Sequence, residues 1–194
     1  QFSIKPLWGI NYVIHEKFQL PQLDDHVDMS DGSLSIGRYF TEMLDPTMNW
    51  DDVAEMVKLW DGQFCLKGVM SVEDCKRAAE IGCTGVILSN HGGRQLDGSR
   101  SPFDHLAEVV DAVGDKIDII LDSGVQRGTH VLKALSLGAK AVSGGRFYLY
   151  PLAAAGQPGV ERALGLMRAE IERGMRLMGC NSIDQLSPEN LRFR

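Results

Sequence analysis

His91 and Arg94 stand three residues apart in the run Ser89-Asn90-His91-Gly92-Gly93-Arg94-Gln95-Leu96-Asp97. Imidazole changes protonation near neutral pH, and guanidinium offers a planar fork that holds a carboxylate in one orientation. A base beside an anion clamp suits an α-substituted acid. The clamp fixes the carboxylate, and the base faces the neighbouring hydroxyl or C–H. No such setting surrounds His15, His26, His105 or His130, which read as surface or helix residues. Two other runs, Asp122-Ser123-Gly124-Val125-Gln126-Arg127-Gly128 and Gly144-Gly145-Arg146, place glycines before an arginine. Glycines let backbone N–H groups approach an oxyanion, and an arginine adds a bidentate fork, so both loops read as phosphate-binding. Lys67 interrupts an apolar strand. It is either an edge residue whose amine reaches water or a fixed positive charge beside an electron-rich cofactor ring.

These groups recur at matching points of a repeated theme. From residue 50 onward the chain alternates short apolar runs with amphipathic stretches. Strands are expected over Phe64–Val69, Gly85–Ser89, Ile117–Leu121 and Lys140–Ser143. Helices are expected over Trp50–Trp60, with Val53, Met56, Val57 and Trp60 on one face, then Val72–Ile81, Phe103–Val113, Gly128–Leu137 and Gly159–Met178. Ser71 should cap the start of the second helix and Gly82 should follow its end. Apolar strands alternating with helices argue for a parallel sheet covered on both faces or closed into a barrel. Four such units are too few for a (β/α)8 barrel, which takes about 250 residues. The chain therefore reads as half of a barrel. Ligands bind such folds at the carboxyl ends of the strands, where all of the runs above begin. Phosphate after the last two strands would make these strands five to eight.

Residues 1–49 are different. Pro6, Gly9, Pro21, Gly32, Gly37 and Pro46 interrupt any periodicity, and Asp24–Ser35 is polar and turn-rich. The segment reads as a long leading connection with one short helix around Ile36–Met43, and 50–194 as the half-barrel with a C-terminal helix and tail. With 44% hydrophobic and 24% charged residues, the 194-residue chain is an ordinary globular one. A net charge of −6 argues against nucleic-acid binding. No signal peptide or membrane span is visible. Cys65, Cys75, Cys83 and Cys180 lack CxxC spacing and read as buried or half-buried free thiols of a reducing cytosol. No metal site is expected.

Taken together, SNHGGRQLDG (Ser89–Gly98) with LKG upstream, DSGVQRGTHVLKALSLGA (Asp122–Ala139) and GGRFYLY (Gly144–Tyr150) resemble the C-terminal half of the FMN-dependent α-hydroxy-acid oxidases and dehydrogenases. The similarity covers roughly residues 44–180, and HEKFQLP (His15–Pro21) resembles the stretch after that family's fourth strand. The resemblance implies a TIM (β/α)8 barrel family fold, FMN as cofactor, and oxidation of a lactate-, glycolate- or mandelate-like L-2-hydroxy acid to the 2-oxo acid. It implies His91 as base on either the α-proton or the hydroxyl proton, Arg94 as carboxylate clamp, and Lys67 and Ser89 beside the flavin. Asp122, Ser123, Gly124, Val125 and Gln126 would meet the ribityl–phosphate arm, and Gly145 and Arg146 the phosphate. Oxygen, a quinone or a cytochrome would accept the electrons. The family also implies a homo-oligomer, a tetramer, at a cytoplasmic location or one peripheral to the inner membrane face.

Two departures stand out. The family carries arginine where this chain has Gln126, which weakens phosphate binding unless Arg127 reorients. An apolar pair in the family is Ser143-Gly144 here, which should loosen that loop. The family's first half, with a substrate-side tyrosine and an aspartate paired to the histidine, has no counterpart in the chain. A catalytically silent half-barrel that needs a partner for the other half is the alternative to an enzyme.

Overall fold

A computed structural model describes residues 6–14, 41 and 43–192. The chain divides into two compact units, Gln1–Asn49 and Trp50–Arg194. In the first, helix α1 spans Pro6–Ile14, with Trp8 and Tyr12 stacked at 5.4 Å. This helix was not expected, because Gly9 reads as a breaker. Pro6 opens it at a position that needs no N–H, and one interior glycine costs only about 1 kcal/mol against alanine. His15–Pro21 and Asp24–Ser35 lie outside the described residues. So does the helix expected around Ile36–Met43, apart from Thr41 and Met43.

The second unit contains a four-stranded parallel sheet in the order β1-β2-β3-β4. The elements run α2 (Trp50–Trp60), β1 (Cys65–Val69), α3 (Val72–Glu80), β2 (Gly85–Leu88), α4 (Pro102–Val113), β3 (Asp118–Leu121), α5 (Gly128–Ser136), β4 (Ala141–Val142) and α6 (Arg146–Met178). Each follows the expected range to within a residue or two, except α6. Ser71 caps α3 by accepting the Asp74 N–H at 3.0 Å, and Gly82 follows with φ 94°. On α2 Val53 is buried and Trp50 and Val57 are half-buried against the core, whereas Met56 and Trp60 are exposed. Of the expected face, Val53 and Val57 pack on the core and Met56 and Trp60 do not. Arg77 covers Trp50, 5.6 Å from its ring centroid.

One face of the sheet carries the core. Val86, Leu88, Ile119 and Leu121 are at most 2% exposed and meet Cys75, Ala78, Leu106, Val109, Val113 and Ala134 from the helices. Because side chains alternate along a strand, Ile87 and Ile120 occupy the other face, and both are only half-buried. Of the four thiols, Cys75, Cys83 and Cys180 are buried, and Cys65 is exposed at the start of β1. Among the described residues no helix is long and apolar enough to cross a membrane.

Helix α6 begins thirteen residues before Gly159, immediately after Gly145. Its break comes at Ala155 (φ −152°) and Gly156 (φ 62°), and Pro158 falls in the first turn of the second segment. Gly156 and Pro158 therefore mark an internal break rather than the helix start. The first segment was hidden in sequence because Phe147–Leu152 is apolar without a helical stripe. Further along, α6 presses on α5: a Cβ at Gly128 would lie 2.5 Å from Glu170 Cβ and 2.7 Å from the Ile171 nitrogen. Gly128→Ala should cost about 1–3 kcal/mol, the usual range for overpacking. Gly165→Ala, with nothing within 4 Å of the new methyl, should be neutral or stabilising. Urea denaturation of the two variants checks the pair.

Candidate functional site

The carboxyl ends of the four strands share one rim, and the predicted residues gather there. Lys67 stands near the end of β1, where the pairing slips between Lys67 and Val69. The residue absorbing the slip is Gly68, at φ 94°. Such a bulge bends the strand and re-aims its neighbour. The Lys67 side chain is 51% exposed, and its Nζ lies 2.7 Å from Asp122 Oδ2 at the end of β3. The amine is thus paired across the rim rather than simply reaching for water.

After β2 the chain enters a short 3-10 turn, His91–Gly93. His91, Gly92 and Gly93 all have positive φ, at 56°, 68° and 71°. For His91 this left-handed conformation costs about 1–2 kcal/mol, so the surroundings must hold it. They do so through backbone hydrogen bonds. The His91 N–H donates to Ser89 Oγ at 3.1 Å, and the Gly92 N–H to Ser123 Oγ at 3.1 Å. The Gly93 N–H reaches both the carbonyl and the side-chain oxygen of Asn90. From the far loop, Arg146 donates to the Gly92 carbonyl at 2.8 Å. Its guanidinium fills the space a Cβ at Gly92 would need. Among the described residues neither the His91 ring nor the Arg94 guanidinium has a hydrogen-bond or ion-pair partner. Both are exposed.

Lys67, His91, Arg94, Asp122, Ser123, Gly124, Val125, Gln126, Gly145 and Arg146 line one cavity of about 360 Å³. Ser89 alone of the predicted residues does not line it. It is 5% exposed, with its hydroxyl 2.6 Å from Asp122 Oδ2. Six lining residues were not singled out as site residues: Gly92 and Gly144, which belong to the runs described above, and Ser143, Phe147, Tyr148 and Leu149. Only the position of Ser143 at the tip of β4 could have pointed to it. Phe147, Tyr148 and Leu149 come from the part of α6 that the sequence conceals.

At Asp122, burial pushes the carboxyl up, but donors from Lys67, Ser89 and Ser143 outweigh it and bring the pKa down to about 2. A depressed carboxyl stabilises the fold fully above its unfolded pKa, about 3.9, and this contribution disappears as pH falls through the folded value. Stability measured by urea should therefore drop between about pH 4 and pH 2 in the wild type. Asp122→Asn should remove that part of the acid limb.

The loop after β3 is held from two sides. Arg127 binds Glu170 through Nε at 2.8 Å and Nη2 at 2.6 Å, while Glu170 also accepts the Gly128 N–H at 2.8 Å. Arg127 is thereby committed to α6 and does not replace an arginine at Gln126. Opposite, His130 Nδ1 lies 3.2 Å from the Gly124 carbonyl and 3.3 Å from the Gln126 nitrogen.

Known proteins resemble this chain in sequence and fold. The family model for FMN-dependent dehydrogenases matches residues 1–193. The chain is 46% identical over 176 residues to an L-lactate dehydrogenase (cytochrome) of Wickerhamomyces anomalus, covering 88% of this chain and 30% of the relative. It is 40% identical over 189 residues to an (S)-mandelate dehydrogenase of Pseudomonas putida, covering 97% and 47%. A crystal structure of the monotopic membrane protein (S)-mandelate dehydrogenase superposes with a TM-score of 0.87 at 38% identity, over 97% of this chain and 50% of that one. The chain spans less than half the length of these curated relatives. The parallel four-stranded sheet is accordingly part of a TIM barrel. On these grounds the chain belongs to the FMN-dependent dehydrogenase family.

Proposed function

We propose that this chain is the flavin-binding part of an enzyme that oxidises an L-2-hydroxy acid to the 2-oxo acid. The observation that carries the reading is the shared cavity: His91, Arg94, Lys67 and the two glycine-arginine loops open onto one space. Relatives named for lactate and mandelate support the substrate class.

The residues present fit FMN. Gly124 and Gly145 line the cavity, and a Cβ at either would meet nothing within 4 Å, so bare backbone borders open space there. Arg146 stands at the N-terminus of α6, where backbone N–H groups and the helix dipole favour an anion. In this reading Gly145 and Arg146 hold the phosphate, and Asp122, Ser123, Gly124, Val125 and Gln126 border the ribityl arm. Lys67 faces the ring, and Ser89, buried beneath the rim, supports it through the Asp122 carboxylate that both share. FMN, when bound, accepts the two electrons released by the substrate. Arg94 grips the substrate carboxylate with its exposed guanidinium. His91, whose ring has no hydrogen-bond partner among the described residues, takes a proton from the substrate at its ring nitrogen. Lys67 supplies positive charge where negative charge develops.

The electron acceptor is oxygen, a quinone or a cytochrome, relatives being named as both oxidase and cytochrome-type dehydrogenase. Likeness to a monotopic membrane protein supports a position peripheral to a membrane. The outer edges of β1 and β4 pair with no strand among the described residues. Open edges invite pairing, so we assign this unit a place beside further barrel strands, whether in the same polypeptide, a partner chain or a homo-oligomer. The test is anaerobic: FMN-loaded protein mixed with L-lactate or L-mandelate should lose its yellow absorbance. Retained colour with both would favour a catalytically silent half-barrel.

A further inference from the structure

Besides the Ser143 hydroxyl noted above, the Asp122 carboxylate meets three groups of the rim through one oxygen. Asp122 Oδ2 accepts from Lys67 Nζ at 2.7 Å and from Ser89 Oγ at 2.6 Å, and Ser123 Oγ lies 3.5 Å away. Both serines pass the connection on to the loop that follows β2. Ser89 Oγ accepts the His91 N–H and Ser123 Oγ the Gly92 N–H, each at 3.1 Å. A hydroxyl has one proton to give and two lone pairs to accept with. When its proton points to a carboxylate, its lone pairs are turned toward backbone donors. Ser89 is 5% exposed, so water cannot easily compete for its hydroxyl. The receiving peptides are those of His91 and Gly92, both in the left-handed region.

We propose that Asp122 is a positioning residue that, through Ser89 and Ser123, holds the His91–Gly92 backbone in its left-handed turn while the same oxygen anchors Lys67. Its catalytic meaning rests on the reading of His91 as the base, whereas the relay itself does not. A carboxylate that stays ionised over the working pH range suits this task, since it never becomes a competing donor. Asparagine has similar size but lacks the charge and can present an N–H to the serines instead of accepting from them. Lys67→Met removes the ion pair and the longer 3.4 Å contact of Lys67 Nζ with Ser89 Oγ, and keeps the hydrogen bonds that run from the carboxylate through the serines to the backbone.

Amide hydrogen exchange of the full chain without flavin, read residue by residue by NMR, tests the relay. Ser89→Ala should speed exchange at His91 by about tenfold, the scale of one lost hydrogen bond, and change Gly92 less. Asp122→Asn should speed both. The double variant should be no faster at His91 than Ser89→Ala alone, and Lys67→Met should leave both rates near wild type. Unchanged His91 and Gly92 rates in Asp122→Asn, multiplying effects in the double variant, or an equal effect from Lys67→Met would overturn the proposal. Should Asp122→Asn not fold, Asp122→Glu takes its place: a displaced carboxylate should speed both sites, and wild-type rates would count against the relay. In FMN-loaded protein, Asp122→Asn should slow flavin reduction by a 2-hydroxy acid about tenfold with substrate Kd within about twofold. Exchange behaving as expected with reduction unchanged would retire His91 as the base and leave the relay standing.

Discussion

His91→Gln is expected to slow flavin reduction by a 2-hydroxy acid by about 10²–10⁴-fold, the usual contribution of a positioned general base, while FMN stays bound. Glutamine is close to histidine in length and polarity but cannot take up a proton near neutral pH. The backbone N–H that binds Ser89 is unchanged by the substitution, so the turn should persist. The imidazole lines the cavity with no hydrogen-bond partner among the described residues, so its loss breaks no internal contact. Stopped-flow absorbance of flavin-loaded protein separates the two effects: colour before mixing reports binding, and its decay reports proton removal and electron transfer. Wild-type decay in the variant would place the base elsewhere.

Arg94→Lys is expected to weaken substrate binding by about 10–100-fold, as loss of a charge-assisted hydrogen bond worth about 1.5–3 kcal/mol would do. The substitution keeps the charge and removes the planar fork, so it isolates geometry from electrostatics. Reduction at saturating substrate should also slow, because a carboxylate held at one point can swing away from His91. Arg94 is exposed and makes no ion pair among the described residues, so stability should change little. Substrate titrations of reduction rate give both quantities. Equal affinity and rate in the lysine variant would remove Arg94 from the substrate site.

The strands, helices α2 to α5 and the shared rim were legible because each rests on a local signal. Val86, Leu88, Ile119 and Leu121 form short apolar runs, and Ser71 and Gly82 punctuate α3 as capping chemistry requires. Convergence of His91, Arg94 and Arg146 on one cavity follows from parallel topology alone, since every strand then ends on the same side. What was missed depends on contacts distant in sequence. Neither the hub at Asp122 nor the commitment of Arg127 to Glu170 can be read from spacing, because they join residues 55 and 43 positions apart. Ser143 read as a residue that loosens its loop, yet it helps to lower the Asp122 pKa. The early start of α6 was masked by Pro151 and Gly156, which local rules treat as breakers.

In the proposed function, four strand tips grip a flavin nucleotide by its phosphate tail. Paired titrations with FMN and with riboflavin, which has the same ring and no phosphate, test it most directly, in wild type and in Arg146→Ala. FMN should bind wild type at least about tenfold more tightly than riboflavin, the worth of one charge-assisted phosphate contact, and Arg146→Ala should erase most of that difference. Equal affinity of wild type for the two flavins, or an FMN preference untouched by the loss of Arg146, would contradict the account.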